Sequence, residues 1–305
     1  MNDQAQRLRD MINTMKKQRI YESNKDEKIE AETMEEGHAR VITITSGKGG
    51  VGKTNFTINL GLALRKLGYR VTILDADLGL ANIDVIVGMI PKYTLAHVIR
   101  NEKSIEEVIV EGPEGIKIVS GGSGLSELVN LSEEQLSNLV YSLKVLGKSA
   151  DFLLIDTGAG INHSVMSFVH ATNEIVLVTT PEPTSITDAY AMIKNIVSHD
   201  KDKKIRLLIN RIENNQEGAA IFEKLNTASQ RFLNVSLEKL GYLYDDIIVS
   251  KSVKSQVPFI CNYPNSLVSQ GVLAIASRIT NESSNEIYQV GSFKRFMNKL
   301  FHGYR

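Results

Sequence analysis

From Val41 onward, short apolar runs alternate with amphipathic segments. The runs read "VITITS", "RVTILD", "IKIVSG", "FLLID", "EIVLVTT", "IRLLIN" and "LGYLY". Between them lie stretches with helical spacing of apolar residues, at 54–67, 133–146, 186–197 and 217–232. A run that stays apolar through consecutive positions suits a strand covered on both faces. Buried strands alternating with helices predict an α/β fold, a doubly wound and mostly parallel sheet flanked by helices. Ser132 with Gln135 resembles a capping box opening one helix, and Gly68 reads as a helix stop. No internal repeat or second globular domain is visible in this stretch.

The flanks follow different rules. Residues 1–37 are charge-rich; Leu8, Met11, Ile12 and Met15 recur at helical spacing, and the acids and lysines of 22–36 read as a linker. After Asn281 a polar spacer, "NESSNE", leads to "GSFKRFMNKLFHGYR". There Phe293, Phe296, Met297, Leu300 and Phe301 form one apolar stripe, and Lys294, Arg295 and Lys299 lie mostly away from it. A short, basic, aromatic-rich amphipathic helix suits a membrane interface; a helix docked back on the core would carry the same stripe. The expected organisation is therefore 1–37 as partner-binding helix and linker, 38–281 as the main domain, and 282–305 as spacer and membrane-targeting helix.

Composition narrows the chemistry. Lysines plus arginines equal aspartates plus glutamates at 35 each, so no global field draws the chain to nucleic acid, and any such contact needs a local patch. Cys261 is the sole cysteine, which excludes an internal disulfide or a Cys-rich metal site within one chain and fits a reducing cytoplasm. The segment "MNDQAQRLRD" lacks the apolar core of a secretory signal. No apolar run approaches the roughly 20 residues of a membrane span. A soluble protein, or one attached at most to a membrane surface, is expected.

The chemistry concentrates at "SGKGGVGKT". Gly47 to Thr54 fit G-x-x-x-x-G-K-[ST], placed after the strand "VITITS" and before a helix, as a phosphate loop must be. The backbone of Gly47, Lys48, Gly49, Gly50, Val51 and Gly52 is expected to face phosphate oxygens, aided by the helix that starts at Lys53, Thr54 and Asn55. Lys53 should reach the β- and γ-phosphates and Thr54 should ligate Mg²⁺. Asp156, ending "FLLID", stands where an acid would hold Mg²⁺ through water; Gly158 and Gly160 follow it. Asp75 and Asp77 end another strand. Asp77, a further candidate at the metal, is also the candidate to orient or deprotonate the attacking water beside the phosphates. Lys48 would merely duplicate Lys53 if it served only its own nucleotide.

The spelling "KGGVGKT" resembles the deviant Walker A motif of the MinD/ParA superfamily of P-loop ATPases. In that superfamily the early lysine reaches across a dimer interface, so the resemblance implies an ATP-dependent homodimer with Lys48 acting in trans. The likeness spans residues 40–279. It makes "DADLGLANID" a switch I with Asn82 near the γ-phosphate, "DTGAG" a switch II, and "LLINR" the base-side loop, with Asn210 and Arg211 at the nucleotide. "TTPEPTSITDAY" matches the segment before the partner-facing helix. ATP or ADP with Mg²⁺ is the implied ligand set.

Four members of the superfamily compete. An iron–sulfur reductase is opposed by the single cysteine, and a DNA partition ATPase of the ParA type by the balanced charge. A MinD-type division ATPase shares the C-terminal membrane helix but begins almost at the phosphate-loop strand. "DQAQRLR", with "VSGGSGLSEL" and "TTPEPTSITDAYAMIK", resembles the FlhG family of flagellar-number regulators, also called FleN and YlxH. That resemblance implies that the N-terminal element, through Gln4, Leu8 and Arg9, activates the signal-recognition-particle-type GTPase FlhF. It also implies contact with basal-body C-ring proteins, and residence in the cytoplasm with peripheral binding to an anionic inner-membrane surface. A nucleotide-gated scaffold with incidental hydrolysis is the non-enzyme alternative.

Overall fold

The computed structural model describes residues 38–77, 82–122, 133–283 and 292–302. The strands are β1 (Arg40–Ser46), β2 (Val71–Ala76), β3 (Val110–Glu111), β4 (Lys117–Ser120), β5 (Phe152–Ala159), β6 (Glu174–Thr179), β7 (Lys204–Ile212) and β8 (Glu238–Tyr244). They form one sheet in the order β3-β4-β2-β5-β1-β6-β7-β8. Every pairing is parallel except the β3–β4 edge. Each apolar run of the sequence is a strand. The two-residue β3 is too short to leave a periodic signal.

Alternation along the strands builds two apolar layers. In β5, Phe152 and Leu154 join the core on one face of the sheet, while Leu153 and Ile155 join a core on the other. The first layer is closed by helices α1 (Lys53–Lys66) and, late in the chain, 259–262 and 267–283. In chain order after α1 come α2 (Asn82–Val87), α3 (Leu95–Ile99), α4 (Ile105–Val108), α5 (Glu133–Ser149), α6 (His163–Ala171), α7 (Pro183–His199) and α8 (Asn215–Leu233). The last four are α9 (Ile247–Ser255), α10 (Phe259–Asn262), α11 (Leu267–Ser283) and α12 (Ser292–His302). Helices α5 to α8 with α12 cover the opposite face. The four helices expected from spacing are α1, α5, α7 and α8, each within a few residues of its expected bounds. Ser132 of the expected capping box lies outside the described residues.

At the amino ends of the strands, charge is buried in pairs. Arg40 donates to both oxygens of Glu174 at 2.8 and 2.6 Å and to the Ile279 carbonyl at 2.7 Å. Arg206, 1% exposed, shares Glu174 at 3.0 Å and meets Glu238 at 3.3 Å. This network ties β1, β6, β7 and β8 to the end of α11.

Helix α12 changes one sequence expectation. Phe293, Phe296, Met297 and Leu300 are only 1–6% exposed and sit in the core that also holds Val41, Leu143, Leu146, Phe168 and Ala171. The stripe read as a membrane face thus faces the protein in this conformation. Its physical reason is an apolar trough formed by α5, α6 and β1, where each such side chain gains about 1.5–3 kcal/mol by leaving water. Gly147 makes room, since a Cβ there would lie 2.5 Å from the Phe293 ring. Lys299 fastens the helix by bonds to Asp200 at 2.8 Å and the Asn173 side chain at 3.0 Å. The Phe301 side chain lies outside the described part. Among the described residues, no helix is long and apolar enough to cross a membrane.

Candidate nucleotide site

Strand order reverses around β1, so the loops after β1, β2 and β5 meet at the carboxyl edge of the sheet, where α/β folds bind ligands. The turn after β1 runs through Gly50 and Gly52 with φ of 76° and 93°, a left-handed backbone that glycine adopts without strain. Gly52 caps α1, and its carbonyl accepts the first helical bond, from the Phe56 N–H at 2.9 Å. The first turn of α1 holds no acid, so its positive end is left unneutralised for an anion. Lys53 and Thr54, with residues 49–52 and Asn55, line a cavity of about 470 Å³ that also takes in Asp77, Ile86 and Arg211.

Gly47 and Lys48 are not among those lining residues. A Cβ on Gly47 would lie 2.3 Å from the Asp188 carbonyl oxygen, so this glycine lets α7 lie against the loop. Lys48 turns the same way. Its Nζ donates to Glu182 Oε2 at 2.6 Å and Thr184 Oγ1 at 2.9 Å. The pair sits at the surface, with the Lys48 side chain 37% exposed, and the ammonium holds the Glu182 carboxyl below the usual range.

Three carboxylates converge beside the loop. Asp75 and Asp156 are opposite one another in the β2–β5 register. Asp75 accepts from the Asp77 N–H at 3.1 Å and the Ile83 N–H at 3.4 Å, so one buried carboxylate tethers both ends of the expected switch I. Burial, reinforced by the Asp156 charge, pushes the Asp75 carboxyl up to about 7. Burial also raises Asp156, against the Lys53 ammonium and the Thr54 and Thr57 hydroxyls. Asp156 is 0% exposed and its Oδ2 has no hydrogen-bond partner in the protein. Asp77 lies near Gly158, where a Cβ would approach its Oδ1 to 3.2 Å. Residues 78–81 and the Asn82 side chain lie outside the described part, as do Gln4, Leu8 and Arg9.

The residues present suit Mg²⁺ with a nucleotide. Thr54 lines a glycine-rich cradle, and Asp156, buried next to Lys53 and Thr54, carries an orphaned carboxylate oxygen. Mg²⁺ typically takes one or two carboxylates plus phosphates and water rather than an all-protein cage. Among the described residues no cluster of three or more His, Cys, Asp or Glu forms such a cage.

A second cavity of about 600 Å³ continues from the first through Gly52, Asn55 and Arg211. Asn210 lines it, and its amide nitrogen donates to the Val51 carbonyl at 2.7 Å and so braces the phosphate loop. A Cβ on Gly52 would lie 2.4 Å from that same nitrogen. Arg211 adopts φ of 60°, strained for a side chain of its size, and borders both cavities. The far wall, including Tyr244, Asp246 and Ile247, was not foreseen from the sequence. Its trace was "YDDII", where Asp246 caps α9 by accepting from the Ile248 N–H at 2.9 Å.

Comparison with known proteins decides the family. Residues 37–280 match the family described as ParA: NUBPL iron-transfer P-loop NTPase. The antiactivator FleN of Pseudomonas aeruginosa is 44% identical over 240 residues, covering 79% of this chain and 86% of that protein. The flagellum site-determining protein YlxH of Helicobacter pylori is 37% identical over 284 residues, 92% of each. The chain belongs to the FleN/YlxH branch of the ParA/MinD P-loop ATPases. The branch shares its fold with septum site-determining MinD, solved with Mg-ADP from Pyrococcus horikoshii; the TM-score is 0.66 at 26% identity, over 80% of this chain and 97% of that one. With one cysteine, this chain has no cysteine pair of its own for the iron transfer that the family's description names.

Proposed function

We propose that this protein is an ATP-driven, dimerising switch that regulates the number or placement of flagella. The flagellar role rests on the FleN and YlxH likeness, the one an antiactivator and the other site-determining by name. The switch rests on one observation: Lys48 belongs to the phosphate loop but points away from its own cavity, toward the exposed Glu182. A lysine so placed is available to a second subunit docking on that face.

In this reading Lys53 and the backbone of 49–52 hold the phosphates. Thr54 binds Mg²⁺ and Asp156 acts on it through water; when bound, the ion neutralises charge on the β- and γ-phosphates. Asp77 orients the water and takes its proton as oxygen attacks the γ-phosphorus and the bond to the bridging oxygen breaks, releasing ADP and phosphate. Lys48 of the twin stabilises the charge that develops, a role worth about 10³–10⁵ in rate for arginine fingers. Asn82, Asn210 and Arg211 complete the nucleotide contacts.

Residues 1–37 form the partner arm, with Gln4, Leu8 and Arg9 engaging FlhF, and the closed dimer meets C-ring proteins. Helix α12 binds the anionic inner face of the cell membrane, and its buried stripe requires that it first leave the α5–α6 trough. Two released copies in one dimer gain about 10²–10⁴ in avidity over one. Light scattering of Asp77→Ala in ATP should give a dimer and in ADP a monomer; a monomer in both overturns the switch. Removal of 293–305 should abolish ATP-dependent sedimentation with anionic vesicles, and a peptide of residues 1–20 should accelerate GTP hydrolysis by FlhF. Undiminished sedimentation moves the membrane contact elsewhere, and an inert peptide removes the arm from the scheme.

A further inference from the structure

One side chain beside the carboxylate edge carries no role so far. Thr57 lies one turn past Lys53 on α1 and is 0% exposed. Its hydroxyl sits 3.0 Å from Asp156 Oδ1 and 3.0 Å from the Lys53 carbonyl. A β-branched residue gains nothing over alanine in a helix interior, and a buried hydroxyl is costly unless bonded. The position is therefore explained by what the hydroxyl touches.

The single hydroxyl proton favours the ionised carboxylate, because charge-assisted bonds are roughly twice as strong as neutral ones. The Lys53 carbonyl, equally near at 3.0 Å, is the competing acceptor of that proton, the ordinary bond of a helical threonine to the residue four before it. Asp156 is thus asymmetric: Oδ1 has a donor fixed to the helix that follows the phosphate loop, and Oδ2, equally buried, has none in the protein. Without the Thr57 bond the two oxygens could exchange by rotation of the carboxyl group. We infer that Thr57 is a positioning residue, which sets the Asp156 carboxylate so that Oδ2 is presented to the hydration shell of the nucleotide's Mg²⁺. The inference rests on the assignment of Asp156 to that ion. It also links the phosphate loop to the metal side rigidly, because Lys53, Thr54 and Thr57 are borne on one helix.

Partners that orient metal-site ligands typically change metal affinity or activity by about 10–100-fold when removed. The low end applies here, since Asp156 reaches the ion through water. Thr57→Val keeps the shape and deletes the donor; Thr57→Ser restores the donor; Asp156→Asn tests the ligand itself. Binding of a fluorescent ADP analogue to the full chain, first in EDTA and then across a Mg²⁺ titration, reads the effect without hydrolysis. Thr57→Val should match the parent in EDTA but need about 10-fold more Mg²⁺ for half-maximal binding, with Thr57→Ser within about twofold of the parent. Thermal midpoints establish that each variant is folded, and Thr57→Ala replaces Thr57→Val should the latter fail to fold. A shift in Asp156→Asn but not in Thr57→Val overturns the role of Thr57. No shift in either overturns the Asp156 assignment and the inference with it. A shift in both, reversed by serine, establishes it.

Discussion

The two ends of the sheet treat charge in opposite ways. At the amino end, Arg40, Glu174 and Arg206 are buried with opposite signs in contact, and the half-exposed Glu238 adds to them, at distances from 2.6 to 3.3 Å. At the carboxyl end, Asp75 and Asp156 are buried side by side with the same sign, and one Asp156 oxygen has no protein partner. In the first arrangement each charge meets one of opposite sign within the protein. The second gains from a cation and a polyphosphate brought from outside. Scaffold and site are thus distinguished by whether buried charge is matched within the chain, not by burial itself.

Substitutions at the two ends should therefore separate turnover from stability. Asp77→Ala should lower ATP turnover by about 10²–10⁴-fold, the range for removal of a general base, while the thermal midpoint holds; steady-state kinetics beside a melting curve check it. Glu174→Ala should do the reverse. Arg40 loses the carboxylate that accepts from it twice and Arg206 keeps the half-exposed Glu238, at a cost of about 3–5 kcal/mol, read by chemical denaturation, with nucleotide affinity kept under conditions where the variant is folded. A Glu174→Ala variant as stable as its parent would erase the contrast.

Smaller effects sharpen it. Gly147→Ala pushes a methyl group into the Phe293 ring, so overpacking of about 1–3 kcal/mol should loosen α12. Vesicle sedimentation of the nucleotide-free protein should rise, and no change would detach the trough from membrane control. His170, on α6 near the same end, stacks on His199 at 4.0 Å, and burial, with the charges of His199 and Lys203, lowers its pKa from 6.5 to about 4. The folded chain therefore keeps it neutral between about 4 and 6.5 while the unfolded chain binds a proton. Stability should fall as pH drops through that window, on the order of 1–2 kcal/mol given its partial exposure. Denaturation at several pH values should show this slope, and His170→Gln should flatten it.

Much of this was legible in the sequence because both sheet faces are covered. Each strand other than the two-residue β3 contains an apolar run, and the phosphate loop had to follow one of them. Contacts distant along the chain left no such mark. Lys48 finds Glu182 134 residues away, and Asp75 tethers switch I through backbone N–H groups that no side-chain pattern reveals. The stripe of α12 has the same spacing whether it faces lipid or the α5–α6 trough; Gly147, which lets it dock, looks like any helix glycine. The short helices α2 to α4 span four to six residues, below two helical turns, so their periodicity could not show.

Whether Lys48 serves the nucleotide of its twin is tested most directly by mixing two inactive variants. Lys48→Ala keeps Asp77, Asp77→Ala keeps Lys48, and neither alone should hydrolyse ATP. In an equal mixture, half of the dimers are mixed and each has one complete site, so turnover should recover to roughly a quarter of the parental value. A mixture as inactive as its components, although mixed dimers form, would place Lys48 on its own subunit's nucleotide and contradict the shared site.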